Sequence, residues 1–120
     1  MKNTTLGKLE KKSKQYTDYE TDKIITWCSS CGNYSIQNAL ERALVLEGIK
    51  RNDFIICYDV GCSGNGSDKI EANTIHGLHG RVLSLAAGAG IANSKMKIIA
   101  EAGDGATFSE GVGHLVHAVR

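Results

Sequence analysis

The chain has 120 residues, 14 glycines, no proline and a formal net charge of +1. That length holds one domain with a modest core. The near-neutral charge gives no electrostatic case for binding nucleic acid or a membrane surface. No apolar run approaches the ~20 residues of a membrane span. The start, "MKNTTLGKLEKKSKQYTDYETDK", lacks the apolar centre of a secretory signal, so a cytoplasmic protein is expected. Four cysteines without an export signal point to a reducing compartment. There a close cysteine pair is a metal or catalytic feature more often than a disulfide.

Residues 1–23 carry six lysines and almost no apolar periodicity, and read as a polar N-terminal arm. Residues 24–120 read as the domain proper. "WCSSCGN" places Cys28 and Cys31 two residues apart. From Ser35, a plausible N-cap, the pattern turns helical. Ile36, Ala39, Leu40, Ala43 and Leu44 form one apolar stripe, with Glu41 and Arg42 off it. Gly48 is the expected stop. "FIICYDV", 54–60, reads as a buried strand with Cys57 pointing into the core.

That strand runs into the glycine loop "GCSGNGSD". After "HGLHGR", residues 82–93 have the small side chains of a helix lying close to a sheet, with Asn93 as C-cap. "MKIIAEA", 96–102, is the second predicted strand, followed by the loop "GDG", 103–105. Val112, Leu115, Val116 and Val119 mark a last helix, with Ser109 near its start. The alternation predicts a parallel α/β sheet with both glycine loops at the carboxyl ends of its strands, where ligands of such sheets bind. Two strands and three helices do not close a doubly wound core, so the sequence reads as a truncated piece of a longer protein.

Three chemistries fit the cysteine pair. A thioredoxin-like redox centre needs a hydrophobic strand upstream and a cis-proline facing the motif, and this chain has no proline. Zinc or iron–sulfur needs about four ligands, commonly thiolates. Cys28 and Cys31 supply two, and Cys62 in the first glycine loop a third. Thiolates alone leave zinc and iron–sulfur open. In the second loop, Asp104 sits between glycines that let a phosphate approach the backbone, and a carboxylate beside phosphate oxygens suits Mg²⁺. His114 and His117, three apart on the last helix, read as a packed or exposed pair.

In order, "WCSSCGN", "VGCSGN", "HGLHGR", "AGDG" and "GHLVHAVR" resemble the thiamine-diphosphate-binding β subunit of the 2-oxoacid:ferredoxin oxidoreductases. The similarity runs from about Trp27 to Arg120. It implies a flavodoxin-like, doubly wound thiamine-diphosphate module, of which this chain is the N-terminal part. It also implies a 4Fe–4S cluster held by Cys28, Cys31 and Cys62, with a fourth ligand further along a longer chain. Asp104 matches the Mg²⁺-binding aspartate. Val60, Gly61 and Ser63, then His76, Gly77, Leu78 and His79, then Gly105 and Ala106, match cofactor-contacting positions. The implied activity is oxidative decarboxylation of a 2-oxo acid to an acyl-CoA, with electrons passed to ferredoxin. Its partners are an α subunit, ferredoxin, coenzyme A and the 2-oxo acid. The alternative is a non-catalytic zinc-binding or Cys-x-x-Cys redox module. The family's usual Pro-Gly between the first cysteines is here Ser29-Ser30. Ala106 stands where an acidic residue is frequent, and Glu101 where the strand is usually apolar.

Overall fold

The computed structural model describes residues 19–24 and 26–120. The reading of 1–23 as an arm lies mostly outside them, as does Ile25. Where the end of that segment is described, it belongs to the core. Tyr19 is 2% exposed and packs with Phe54, ring centroids 6.2 Å apart. Its hydroxyl donates to the Ile49 carbonyl, and its own carbonyl accepts the Glu71 N–H at 2.8 Å. A polar composition hid one aromatic anchor.

Helix α1 spans Asn33–Glu47 and starts two residues before Ser35, with Gly32 at the N-cap. It ends at Gly48 as expected, and the reason is conformational. Gly48 is left-handed at φ 66°, a region that a side chain disfavours. The Gly48 N–H reaches the Val45 carbonyl at 3.2 Å and the Ile49 N–H the Leu44 carbonyl at 3.0 Å. This is the Schellman pattern, which satisfies the last carbonyls of the helix.

The buried face of α1 is not the predicted stripe. Gln37, Glu41, Leu44 and Val45 are buried, whereas Ile36 is 53% exposed and Ala39 and Ala43 are also exposed. The helix is turned so that Leu44 and Val45 meet Phe54, Ile56 and Tyr58. Gln37 and Glu41 tolerate burial because they satisfy each other. Gln37 Nε2 donates to Glu41 Oε1 at 2.6 Å and also reaches the Lys69 carbonyl at 3.3 Å. Apolar periodicity cannot register a buried hydrogen-bonded pair.

Strand β1 is Phe54–Tyr58, two residues shorter than predicted. A 3₁₀ turn over Gly64–Asp68 follows, then strand β2, Asn73–His76. The sequence reading has no β2, because its largely exposed "NTIH" offers no apolar run. Helix α2 covers Val82–Ala92 and strand β3 Lys97–Glu101, each within one residue of expectation at either end. The "GDG" segment is not all loop. The chain is helical from Asp104, widens into a π-helical turn over Ala106–Glu110, and continues as α3, Val112–Val119.

The three strands form a parallel sheet in the order β2-β1-β3. Phe54, Ile56 and Tyr58 share one pleat face and cluster with Leu44 and Val45 of α1, Tyr19, Ile70 and Ile99. Ile55 and its register partner Ile98 point the other way, toward α2, where Gly90 lies against Ile98. Helices thus cover both faces, as a doubly wound module requires. Among the described residues no helix is long and apolar enough to cross a membrane.

Because Tyr19 fills the core, truncating it should be costly. Tyr19→Ala is expected to lower stability by about 3 kcal/mol, the range for losing a buried ring. Tyr19→Phe should lose about 1 kcal/mol, one hydrogen bond. Denaturant unfolding of both variants checks this. Wild-type stability in Tyr19→Ala would return residue 19 to the arm.

Candidate cofactor site

The carboxyl ends of all three strands meet at one edge of the sheet, and the loops there carry most of the predicted site residues. After β1 the chain passes through Asp59, Val60, Gly61, Cys62 and Ser63. Gly61 takes φ 90°, a conformation open to glycine. Val60 and Cys62 are exposed and Ser63 is half-buried. Gly64 has no room for a side chain: a Cβ there would lie 2.0 Å from the Asp59 carbonyl oxygen and 2.7 Å from His76 Nε2. That close approach folds the 3₁₀ turn back over the ends of β1 and β2. The Gly77 N–H donates to the Tyr58 carbonyl at 2.8 Å, so the "HGLHGR" segment leaves β2 alongside β1. On the other side the Asp59 N–H donates to the Glu101 carbonyl at 2.9 Å.

The residue that organises this edge is one the sequence reading passed over. Asp59 has no exposed surface. Its Oδ1 accepts the Val60 N–H at 2.7 Å, His79 Nδ1 at 2.7 Å and the Gly80 N–H at 3.1 Å. Its Oδ2 accepts the Val82 N–H at 3.3 Å. Val82 opens α2, and Arg81 at the N-cap makes no side-chain cap bond. Asp59 therefore caps that helix from across the fold. Burial pushes its carboxyl up, but the donors from Val60, His79, Gly80 and Val82 outweigh this and hold it below the usual carboxylate range. A sequence signal existed: an acidic residue ending the apolar run "FIICY" must find partners if the run is buried.

His79 stands between this buried carboxylate and Glu110, whose Oε1 lies 3.6 Å from His79 Nε2. The loops beneath them touch backbone to backbone. A Cβ on Gly80 would come within 2.9 Å of the Glu110 carbonyl carbon, and one on Gly111 within 2.7 Å of the Gly80 oxygen. The "HGLHGR" loop is thus seated on the turn that follows Asp104.

Cys28 and Cys31 reach the edge through Trp27, whose indole N–H donates to the Cys62 carbonyl at 2.6 Å. Tyr34 packs edge-on against Trp27 at 5.3 Å, and its hydroxyl donates to the Trp27 carbonyl at 3.1 Å. The Cys31 N–H donates to the Cys28 carbonyl at 3.1 Å. Ser30 takes φ 64° and is the sole non-glycine residue at positive φ among those described. A negative φ at Ser29 followed by a positive one at Ser30 is the type II turn, for which Pro-Gly is the preferred central pair. The serines thus adopt the conformation that Pro-Gly would favour.

All four cysteines are free: Cys28 and Cys62 exposed, Cys31 half-buried and Cys57 buried in β1. Burial raises the Cys57 thiol, which suits an inert core position. Among the described residues no three His, Cys, Asp or Glu side chains converge to hold one metal ion. Asp104 is exposed at its helix entry, and the space above Gly61, Gly103 and Gly105 is open, with no atom within 4 Å of a Cβ built there. These positions can accept a phosphate-bearing ligand close to the backbone. Ala106 is buried, leaving only its backbone for a ligand, while His76 and Leu78 are exposed. His114 and His117 lie on α3, away from the strand ends.

Residues 59–120 match the family described as "Thiamine pyrophosphate enzyme, C-terminal TPP binding domain". The chain belongs to that family. The match begins at Asp59 and takes in every strand-end loop just described. A β subunit of 2-oxoacid:ferredoxin oxidoreductase 2 from Aeropyrum pernix is 33% identical over 104 residues, 87% of this chain and 34% of the relative. The 2-oxoacid:ferredoxin oxidoreductase subunit β of Saccharolobus solfataricus is 36% identical over 96 residues, 78% of this chain and 32% of the relative. Among solved structures, 2-oxoglutarate:ferredoxin oxidoreductase from Magnetococcus marinus, with 2-oxoglutarate, coenzyme A and succinyl-CoA bound, superposes with a TM-score of 0.83 at 31% identity. The overlap covers 98% of this chain and 37% of that one. The chain thus spans about a third of the length of these thiamine-enzyme relatives.

Two predictions come from this geometry. Ser30→Gly should relieve a left-handed serine and stabilise the protein by about 0.5 kcal/mol, after the unfolded chain's gain in freedom is subtracted; Ser30→Ala should not. Thermal unfolding separates them, and equal effects would remove the turn assignment. The second concerns Glu101, which burial pushes up to about 7. Its protonated form suits the fold. Its contribution is therefore full below the unfolded value of 4.5 and is lost as pH rises through about 7. Wild type should lose Tm relative to Glu101→Gln across that interval. A difference flat with pH would place Glu101 in solvent.

Proposed function

We propose that this chain forms the thiamine-diphosphate-holding part of a β subunit of a 2-oxoacid:ferredoxin oxidoreductase. The observation that carries the reading is the convergence of the 60–63, 76–80 and 103–106 segments on one carboxyl edge of a parallel sheet, inside the stretch that matches the thiamine enzymes. Asp104 is the ligand for Mg²⁺. The backbones of Gly105 and Ala106 take the diphosphate, helped by the helix entry they form. Val60, Gly61, Ser63 and the loop His76, Gly77, Leu78 and His79 line the remaining sides. When bound, thiamine diphosphate supplies the electron sink for decarboxylating a 2-oxo acid. This chain's residues bind and orient it, and Asp59 fixes the loop that carries His79.

Cys28, Cys31 and Cys62 are the ligands proposed for a 4Fe–4S cluster. Two are exposed and the third half-buried, and Trp27 ties their loops together. In such a cluster each thiolate binds a different iron, so the sulfurs need not converge on a single point. A lone zinc ion does need convergence, and the described residues offer no such group. That weighs against the zinc-binding module. The names of the relatives support a 2-oxo acid as substrate, with an α subunit, ferredoxin and coenzyme A as partners. The reducing location that suits exposed thiols is in keeping with the cytoplasm.

Calorimetric titration of thiamine diphosphate with Mg²⁺, together with iron analysis after reconstitution, tests the reading. Asp104→Ala should weaken cofactor binding by roughly tenfold or more while iron content stays at the wild-type level. Cys28→Ser, Cys31→Ser and Cys62→Ser should each lower iron content, and Cys57→Ser should lower only stability. Wild-type cofactor affinity in Asp104→Ala would remove the thiamine assignment of that loop.

A further inference from the structure

We propose that Glu110 is an internal competitor for the anion position of this site, held there by His79. The inference rests on the thiamine-diphosphate reading and adds to it a residue that tunes affinity. It starts from the buried partner. The Asp59 carboxylate can only accept, and Oδ1 lies 2.7 Å from His79 Nδ1. Nδ1 therefore carries a proton, and the nitrogen left to face outward is Nε2. The remaining lone pairs of Asp59 are engaged by the Val60, Gly80 and Val82 N–H groups. The ring is anchored on its inner side and cannot turn without breaking that set.

The outward nitrogen already faces an anion. Glu110 Oε1 is 3.6 Å from Nε2, and the two side chains are 59% and 42% exposed. Glu110 closes the π-helical turn that begins two residues after Asp104. Its backbone is fixed against the His79 loop, since Gly80 and Gly111 allow the two main chains to touch. The carboxylate is thus held beside the mouth between the "HGLHGR" loop and the diphosphate turn. An incoming anionic group meets an imidazole whose outer nitrogen is engaged, and it meets a negative charge besides. Both effects oppose binding. The pair itself is half-exposed and at the edge of ion-pair distance, so it adds little to stability.

Wild type, Glu110→Gln and Glu110→Asp should be titrated with thiamine diphosphate plus Mg²⁺ and, separately, with inorganic pyrophosphate plus Mg²⁺. The ring-nitrogen shifts of His79 should be read by NMR on the ligand-free samples. Glu110→Gln is expected to bind both probes about three- to tenfold more tightly, with Tm unchanged and the Nε2 shift moved. Glu110→Asp keeps the charge and should bind like wild type. Equal or weaker binding in Glu110→Gln overturns the competition. An unchanged Nε2 shift in Glu110→Gln overturns the pair, whatever the binding. A wild type that binds neither probe overturns the thiamine reading and the competition with it, while the NMR comparison still reports on the pair.

Discussion

One carboxylate without any solvent exposure holds this fold's working edge together. Asp59 ends β1, where the backbone runs out of sheet partners and three loops must be placed. A buried, unpaired carboxylate would be prohibitively costly. Here its oxygens are met by three backbone N–H groups and one imidazole. The same bonds satisfy the open amino end of α2 and fix the loop that carries His79. Packing of α2 on β3 then sets where β3 ends, and so where Asp104 emerges. The position of each loop is thus linked to one charge.

The opposite pleat face at the same end is also polar, and it is organised differently. Tyr58 is fully buried, and its hydroxyl has no hydrogen-bond partner among the described residues. Burial, then the nearby Glu101 and Glu41, raise its ionisation well above the ordinary tyrosine range. It therefore stays neutral, as does Cys57 on the reverse face. Gln37 and Glu41 form a closed pair under the same layer. This side bears the marks of structure: satisfied side chains and no opening onto the glycine loops. The ligand-accepting features all lie on the rim, where Gly61, Gly103 and Gly105 leave the backbone uncovered.

The departures from the thiamine-enzyme pattern become interpretable in this frame. Ser29-Ser30 keeps the type II turn that Pro-Gly would favour, so the spacing of Cys28 and Cys31 survives the substitution. Glu101 sits in a strand position where burial keeps its carboxyl protonated to about neutral pH, so it adds less charge near the site than its identity suggests. Ala106 is packed inward, where an acidic side chain would meet a buried environment. Each change is absorbed locally, while the order of the loops along the sheet edge is intact.

The sequence by itself determined the α/β class, the parallel sheet, the stop of α1 at Gly48, β1, α2 and β3 to within two residues, and the motifs from Cys28 to Asp104. These are local features: apolar runs, small residues and glycines whose meaning depends on near neighbours. Tertiary structure decided the rest. It turned α1 so that Gln37 and Glu41 are buried in place of Ile36 and Ala39, because a side-chain pair 4 positions apart closed its own hydrogen bonds. It placed Tyr19 in the core and recruited the polar "NTIH" as an edge strand, since strand pairing needs backbone and not apolar side chains. It joined Asp59 to His79 and to the Gly80 and Val82 N–H groups, more than 19 residues away in every case. No period or motif in a one-dimensional chain encodes those distances; they exist only once the strand ends have been brought to the same edge.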